Sequence, residues 1–249
     1  MGKLQSKIIT VALLASVALP TVAADDFGTS YSLGAEHKIS KKASVGAEVE
    51  LRTRNDSKTL DRWSFGADVE YKLCKPLKLS VGYNLLYDNN LEKITRADDG
   101  EALKWRPSHW GFRSRFNLSL TGSVDVGRFS LSLRERYQFT FRPEKTVDRY
   151  DFVDKEWETD HMGSKRKHVL RSKAEVDYNI RHCAFTPFAN AELFNGLQLD
   201  KARFQVGTSY KIGKRHVLKA YYQYQVVNDD DDDNETNSHL VGLSYKFKF

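Results

Sequence analysis

Ionisable side chains recur at every second residue in several stretches of this 249-residue chain, where they alternate with apolar ones. In one such stretch Glu48, Glu50 and Arg52 alternate with Val49 and Leu51. A period of two places successive residues on opposite faces of an extended strand, so one face is predicted to be ionic. The charged residues assigned to such faces are Glu48, Glu50, Arg52, Asp68, Glu70, Arg113, Arg115, Arg134, Arg136, Arg171, Lys173, Glu175, Asp177, Glu192 and Arg203.

An enclosed ionic face leaves two kinds of chemistry open. Isolated charges are costly away from water, so they must pair or stay hydrated. If they pair across strands, the result is a salt-bridge lattice that fills and stiffens the enclosed space. If they stay hydrated, arginines such as Arg113 and Arg136 face carboxylates such as Glu50 in a charged pore or pocket for an anionic solute.

A hydrolase is the alternative from another functional class. Ser114, Ser172, His109 and His168 are the positions where a serine–histidine pair is best sought. Their spacing fits no nucleophile-elbow motif and fixes no triad. We therefore expect a non-enzymatic structural or solute-binding protein, or a narrow pore, with a lipid-modifying hydrolase as the alternative and no cofactor.

Five consecutive aspartates form the most acidic stretch of the chain, Asp229–Asp233 (Asp229, Asp230, Asp231, Asp232 and Asp233). Carboxylate oxygens suit Ca²⁺, but the stretch lacks the alternating ligands and the glycine of a dedicated calcium loop. A run of like charges usually forms a solvated, self-repelling loop. We expect no metal site there. A weaker hypothesis is that this loop shares divalent ions with lipopolysaccharide phosphates.

Alternating segments fill the rest of the chain and predict its fold class. Eleven of them have roughly ten to thirteen residues, close to the ~9–11 that a tilted membrane strand needs. Short connections alternate with longer ones such as 89–107 and 142–165. A soluble β-sandwich would have shorter strands. The pattern predicts an all-β fold, an antiparallel transmembrane β-barrel of the bacterial outer membrane.

Two features are unexpected for this fold: the number of alternating segments is odd, and one acidic residue faces lipid. Single-chain bacterial barrels have even strand numbers, so we expect about twelve strands, with ten as the alternative. By parity Glu135 faces lipid between Leu133 and Tyr137. A β-bulge near Arg134–Arg136 is expected to turn it inward, and a protein contact is the alternative.

The first 24 residues have the pattern of a secretory signal. Lys3 and Lys7 precede the apolar stretch Ile8–Leu19, and small residues follow for cleavage after Ala23 or Ala24. Residues 1–24 are predicted to be removed and 25–249 to form one domain. Loss of the two lysines lowers the formal net charge from +6 to +4. The remaining excess is spread along the chain, so no nucleic-acid partner is expected.

The C-terminal stretch predicts partners for the folded and folding protein. Val241, Leu243, Tyr245, Phe247 and Phe249 alternate with polar or small residues. A final strand ending in an aromatic is typical of outer-membrane barrels and their recognition by the barrel-assembly machinery. Outer-membrane lipid and lipopolysaccharide are the other expected partners.

The two cysteines are expected to remain free thiols. Cys74 and Cys183 fall in separate predicted turns, four strands apart. Neighbouring strands are at least about 5 Å apart, so the gap exceeds the ~7 Å limit for a disulfide.

Several longer segments together resemble a known family. They are Ser130–Tyr137, Arg142–Lys145, Ala191–Phe194, Asp229–Asp233 and Lys246–Phe249. These segments are similar to those of the DUF2490 type, a family of outer-membrane barrels of unknown function. The resemblance covers the chain after residue 24. It implies the barrel fold and the outer-membrane location, and it implies no activity.

Overall fold

The structure is a computed structural model that describes residues 25–196, 199–228 and 236–249. The predicted signal peptide and Asp229–Asp233 lie outside these residues. The strands are β1 (Asp26–Lys38), β2 (Ala43–Arg54), β3 (Thr59–Lys72), β4 (Leu77–Asn90), β5 (Lys93–Arg96), β6 (Ala102–Arg106), β7 (His109–Val126), β8 (Phe129–Arg142), β9 (Lys145–Asp151), β10 (Glu156–Met162), β11 (Lys165–Tyr178), β12 (Phe185–Asn195), β13 (Leu199–Ile212), β14 (His216–Val227) and β15 (Ser238–Lys248). No helix in the described ranges is long and apolar enough to cross a membrane.

Eleven of these strands close into a barrel, which confirms the all-β barrel class. The order around the wall is β1, β2, β3, β4, β7, β8, β11, β12, β13, β14 and β15, which returns to β1. Neighbouring strands are antiparallel except at the seam, where β1 and β15 run parallel, with Ser30 opposite Gly242. Eleven is close to the expected twelve but odd. An odd number of alternating strands brings the first and last into the same direction, so the seam must be parallel.

The burial pattern is reversed relative to a soluble protein. Large apolar side chains such as Leu33, Phe116 and Leu133 are more than half exposed on the outer face. In the described part of the chain, thirteen polar or charged residues are buried and only six apolar ones are. Soluble proteins bury mainly apolar side chains, whereas membrane barrels turn an apolar band outward and polar residues inward.

The two ends of the barrel carry different connections. We call the end with the β1–β2, β3–β4, β7–β8, β11–β12 and β13–β14 connections the turn end, and the opposite end the loop end. Cys74 and Cys183 lie in connections at the turn end and are free thiols, as expected. The β7–β8 connection is tight, because β7 continues to Val126. Only two residues connect β7 to β8, and Gly127 has the positive φ that this tight turn needs.

The two longest predicted loops fold into hairpins. They contribute β5–β6 and β9–β10, which form a four-stranded sheet through pairing of β6 with β9. We call it the loop sheet. Its strands have four to seven residues. Such short strands carry too little alternation to be recognised from the sequence.

Glu135 remains on the outer face of β8, so the predicted bulge is wrong. Pairing of β8 with both neighbours runs through this region without a register shift, with Glu135 opposite Leu120 and Ser172. The Ser172 hydroxyl donates a hydrogen bond of 2.7 Å to the Glu135 carboxylate. A carboxylate therefore lies at mid-strand within the apolar band.

Candidate functional site in the barrel lumen

The strongest cluster in the lumen centres on Glu192 of β12. Arg171 donates to both carboxylate oxygens, at 3.2 and 2.8 Å, and Arg134 donates to one of them at 2.7 Å. Arg203 adds an ion pair of 3.9 Å. Glu192 is only 4% exposed. A carboxylate enclosed in this way requires charged partners, because burying it alone would be very costly.

The side chain two residues further along β12 completes this hub. Strand alternation places Phe194 on the same inner face as Glu192. The guanidinium groups of Arg171 and Arg203 lie 4.3 and 4.9 Å from the centre of the Phe194 ring. These distances fit cation–π contacts. The glutamate and the phenylalanine together hold arginines from the strands on both sides of β12, and we call these residues with Arg134 the Glu192 hub.

A second ion cluster lies at the loop end of the lumen. The buried Asp88 carboxylate of β4 binds Arg62 of β3 and receives a hydrogen bond of 2.7 Å from Arg113 of β7. Glu50 accepts hydrogen bonds from Arg52 at 2.9 Å and from Ser30 at 2.7 Å in the same half. Sequence reasoning identified Arg113, Glu50 and Arg52 but missed Arg62 and Asp88. The parity that identified Arg113 also applies to both missed residues.

Neutral polar side chains occupy further inward positions around the charged clusters. Asn190 donates to Gln205 at 3.1 Å, and Gln205 donates to Gln223 at 2.7 Å. Arg171 also donates to Gln138 at 2.8 Å. A search for charges alone missed these amides, although they occupy the inward positions of their strands. They extend the network through β8 and β11–β14, and we call the whole network, with both ion clusters, the polar plug.

An aromatic ring fills part of the remaining space beside the polar plug. Tyr221 of β14 pairs with Gly242 of β15 on the inner face. The tyrosine ring lies where a Cβ at Gly242 would be. A glycine is therefore required at this position, because any larger residue would displace the ring.

Two cavities of the described lumen lie at its opposite ends. The one at the loop end has a volume of about 120 Å³ and is lined by the Asp88 cluster, Gln223 and Gln225. The one at the turn end is larger, at about 400 Å³, and we call it the vestibule. The two share no lining residue. The loop-end half is mostly filled by the polar plug and the turn-end half is hollow.

The vestibule contains both paired and unpaired charges. Lys78 binds Glu70 at 3.0 Å and Lys248 binds Glu36 at 3.3 Å. In contrast, Glu48, Asp68, Arg136 and Lys246 have no oppositely charged group within 4.0 Å among the residues that the structure describes. These four side chains all line the vestibule.

The remaining predicted residues also belong to the inner face. Lys173 and Glu175 form an ion pair of 2.6 Å with each other, and Asn190 donates to Glu175 at 3.0 Å. Asp177 follows at the next inward position of β11. Arg115 lies between the two ion clusters and makes a long hydrogen bond of 3.5 Å to Thr140.

The four candidate hydrolase residues do not come together. Ser114 is hydrogen-bonded to Tyr83 at 2.9 Å, and Ser172 donates to Glu135. His168 is hydrogen-bonded to Tyr137 at 2.6 Å, and the His109 ring lies 3.2 Å from the Pro107 carbonyl oxygen. None of the four hydrogen-bonds to another.

The described part of the loop sheet contains one compact acidic group, which Lys104 and Arg149 partly compensate. Asp151, Asp154 and Glu158 have carboxylate oxygens within 4.8 Å of one another. Lys104 binds Asp151 at 3.0 Å, and Arg149 binds Glu158 at 2.8 Å. These hydrogen bonds lower the pKa of Asp151 and of Glu158, and the bond to Asp151 raises the pKa of Lys104. The cations already occupy the positions that a metal ion would need.

A closed β-barrel with an apolar exterior and a polar, partly filled lumen is the class that this geometry defines. The chain belongs to the family described as protein of unknown function (DUF2490), whose model matches residues 27–236. This confirms the resemblance seen in the sequence. Among solved structures, it is similar to the β-domain of the Bordetella autotransporter BrkA, with 11% identity and a TM-score of 0.50. That match covers 84% of this chain and 83% of the other and concerns the fold alone. No curated protein matches the sequence.

Proposed function

We propose that this protein is an integral outer-membrane β-barrel without enzymatic activity, with a structural and solute-binding role. Its lumen is closed by the polar plug and open as a solute-binding vestibule at the turn end. The observation that carries this proposal is the burial of the Glu192 hub. Arginines that converge on one enclosed carboxylate occupy the lumen beside β8 and β11–β13, which favours a closed barrel over an open pore.

The membrane location is supported by the outer face. The barrel strands have 11 to 18 residues, enough to cross the hydrocarbon core when tilted. The apolar band would be an aggregation hazard in water. We expect the protein to fractionate with outer membranes and to show a heat-dependent mobility shift in detergent gels. Recovery in the soluble fraction without such a shift would contradict the proposal.

Orientation follows from the lengths of the connections. Short turns face the periplasm and longer loops face outward in outer-membrane barrels. The vestibule then opens to the periplasm and the loop sheet lies outside. Cysteine labelling of intact cells tests this orientation: Cys74 and Cys183, both at the turn end, should resist a membrane-impermeant thiol reagent until the outer membrane is permeabilised.

Closure of the lumen can be tested by liposome swelling. Liposomes that contain the folded protein should not swell faster in a small sugar than empty liposomes, whereas a general porin should cause rapid swelling. Faster swelling with the wild-type protein would contradict the closed barrel and support the narrow pore that is the alternative from the sequence.

The absence of enzymatic activity is proposed because the serines and histidines form other hydrogen bonds. Ser172 donates to Glu135, and His168 is bound to Tyr137. Folded protein in phospholipid vesicles, and in vesicles with lipopolysaccharide, should release no fatty acid. Release that disappears in Ser114→Ala or Ser172→Ala would support the hydrolase instead.

Assembly partners are proposed from the aromatic end of β15. Phe249 stacks on Phe247 at 5.6 Å and remains 57% exposed. We expect Phe249→Ala to increase the unfolded periplasmic pool several-fold while the purified variant refolds normally. Phe185→Ala is the matched control, because Phe185 is an exposed aromatic outside β15. Equal accumulation of both variants would argue against recognition of the terminal strand.

A further inference from the structure

We propose that the vestibule binds a small zwitterion, with the ligand's ammonium group on β2 and β3 and its carboxylate or phosphate on β8. This inference rests on the proposed solute-binding role and names the class of solute. It replaces the simple anion suggested by the sequence.

The acidic side of the site is formed by Glu48 and Asp68. In the pairing of β2 with β3, Glu48 is opposite Gly66 and Asp68 is opposite Gly46, so the two carboxylates are diagonal neighbours on the inner face. The Asp68 carboxylate lies over Gly46, where a Cβ would come within 2.7 Å of its Oδ1. Gly46 thus leaves room for Asp68, and two close carboxylates attract an ammonium group.

The basic side is formed by Arg136 of β8. Its Nε donates a hydrogen bond of 2.8 Å to the Ser119 hydroxyl, which fixes the guanidinium plane. The structure shows no carboxylate within 4.0 Å of it among the described residues. An arginine held in this way can bind carboxylate or phosphate with two parallel hydrogen bonds.

Lys246 makes a simple anion or a simple cation a poor ligand. Its Cε and a Glu48 oxygen lie 3.5 and 3.7 Å from the Cβ position of Gly34. Glu48 and Lys246 thus face the same space without a direct ion pair. With Asp68 and Arg136 they give two charges of each sign. A ligand of one sign would face repulsion from the other side, whereas a zwitterion satisfies both.

The space suits a small ligand. A volume of about 400 Å³ lies within the ~300–1,000 Å³ range of small-molecule pockets. Other ionic residues at the vestibule are already compensated, as in the pairs Lys78–Glu70 and Lys248–Glu36.

Calorimetric titration of the folded protein in detergent tests the proposal. The probes are glycine, 4-aminobutanoate and 6-aminohexanoate, whose charges are increasingly separated, with butanoate and butylammonium as half-ligands. The best zwitterion should bind at least about tenfold more tightly than either half-ligand, which is about 1.4 kcal/mol. Equal affinities for zwitterion and half-ligands would overturn the assignment.

Single substitutions assign each half of the ligand. Asp68→Asn should weaken zwitterion binding about tenfold and leave butanoate unchanged. Arg136→Gln should weaken zwitterion binding similarly and leave butylammonium binding unchanged. If Arg136→Gln folds poorly, Arg136→Lys is the substitute; it keeps the positive charge and should retain part of the affinity. Lys58→Gln, which removes an exposed lysine outside the vestibule, should bind like the wild type. An equal loss in Lys58→Gln would show that the effect is only bulk charge.

The two proposals fail in different measurements. A protein that lacks the heat-dependent shift, or that swells liposomes, contradicts the closed membrane barrel. A folded barrel that does not swell liposomes but binds butanoate alone overturns only the assignment of a zwitterionic ligand. The solute-binding vestibule is then retained.

Discussion

Glu192 compensates the charge of three arginines in the lumen. Its carboxylate is buried and accepts hydrogen bonds from Arg134 and Arg171. Breaking a buried ion pair leaves uncompensated charge, which typically costs about 3–5 kcal/mol. We expect Glu192→Gln to lower the free energy of unfolding in phospholipid vesicles by about that much.

Glu70→Gln is the control for this prediction. The Glu70–Lys78 pair is more than one-third exposed, so its loss should cost less than about 1 kcal/mol. Equal costs for Glu192→Gln and Glu70→Gln would show that the hub does not hold the barrel together.

Glu135 should destabilise the barrel in a membrane. It lies in the apolar band, and among the described residues its hydrogen-bond partner is the Ser172 hydroxyl. Lipid-facing Lys or Arg at the midplane costs about 2–4 kcal/mol and Glu costs less, so Glu135→Leu should stabilise by about 1–2 kcal/mol. The measurement is guanidinium unfolding in vesicles. Destabilisation by Glu135→Leu would indicate that the carboxylate has a protein partner.

At the residue scale, strand parity predicted a group of inward-facing charged side chains but not their contacts. Glu192 and Arg171 were both identified, but nothing in the spacing indicated that they bind each other. Their contact depends on the register between β11 and β12, which places Lys173 opposite Glu192 and Arg171 one diagonal away. Neutral residues such as Gln223 were missed because only charges were sought.

The seam between β1 and β15 is the parallel pair in a barrel whose other neighbouring strands are antiparallel. Ser32 of β1 pairs with Ser244 of β15, and their hydroxyls are 2.8 Å apart. With Cys74 and Cys183 changed to serine, Ser32→Cys combined with Ser244→Cys should form a disulfide in high yield. Ser32→Cys with Ser238→Cys is the control, since those residues are six positions out of register. A disulfide in the control pair alone would refute the parallel seam.

The loop sheet should respond to acid before the barrel does. Ion pairs lower the pKa of Asp151 and Glu158, so their stabilisation is complete above the ordinary values of 3.8 and 4.5 and is lost as pH falls through the lowered values. Trp105 and Trp157 are 5.9 Å apart across the sheet. Their fluorescence should change on acidification below about pH 4 while the barrel's circular dichroism is retained. Fluorescence unchanged down to pH 2 would contradict this.

At the element scale, long alternating strands were predictable and short ones were not. The alternation of β3 and β15 extends over more than ten residues and defines their faces. The loop sheet depends on pairing between β6 and β9, whose paired residues lie more than forty positions apart in the sequence. The extension of β7 to Val126 was missed because Thr121 and Gly122 resemble turn residues.

As a whole, the molecule is a barrel with one half filled and one half hollow. The Glu192 hub and the Asp88 cluster fill the loop-end half, whereas small inward residues such as Gly46 and Gly66 leave the vestibule at the turn end. The even-number rule suggested twelve strands. The wall instead has eleven strands, and the barrel closes because the first and last strands, β1 and β15, pair in parallel.

Ion conductance across a planar lipid bilayer tests this account most directly. The folded wild-type protein is inserted at known amount, with a general porin inserted separately as the positive control. Because we propose that the polar plug closes the lumen, we predict no stable channel steps at moderate voltage. Reproducible, ion-selective channels from the wild-type barrel would contradict the closed lumen.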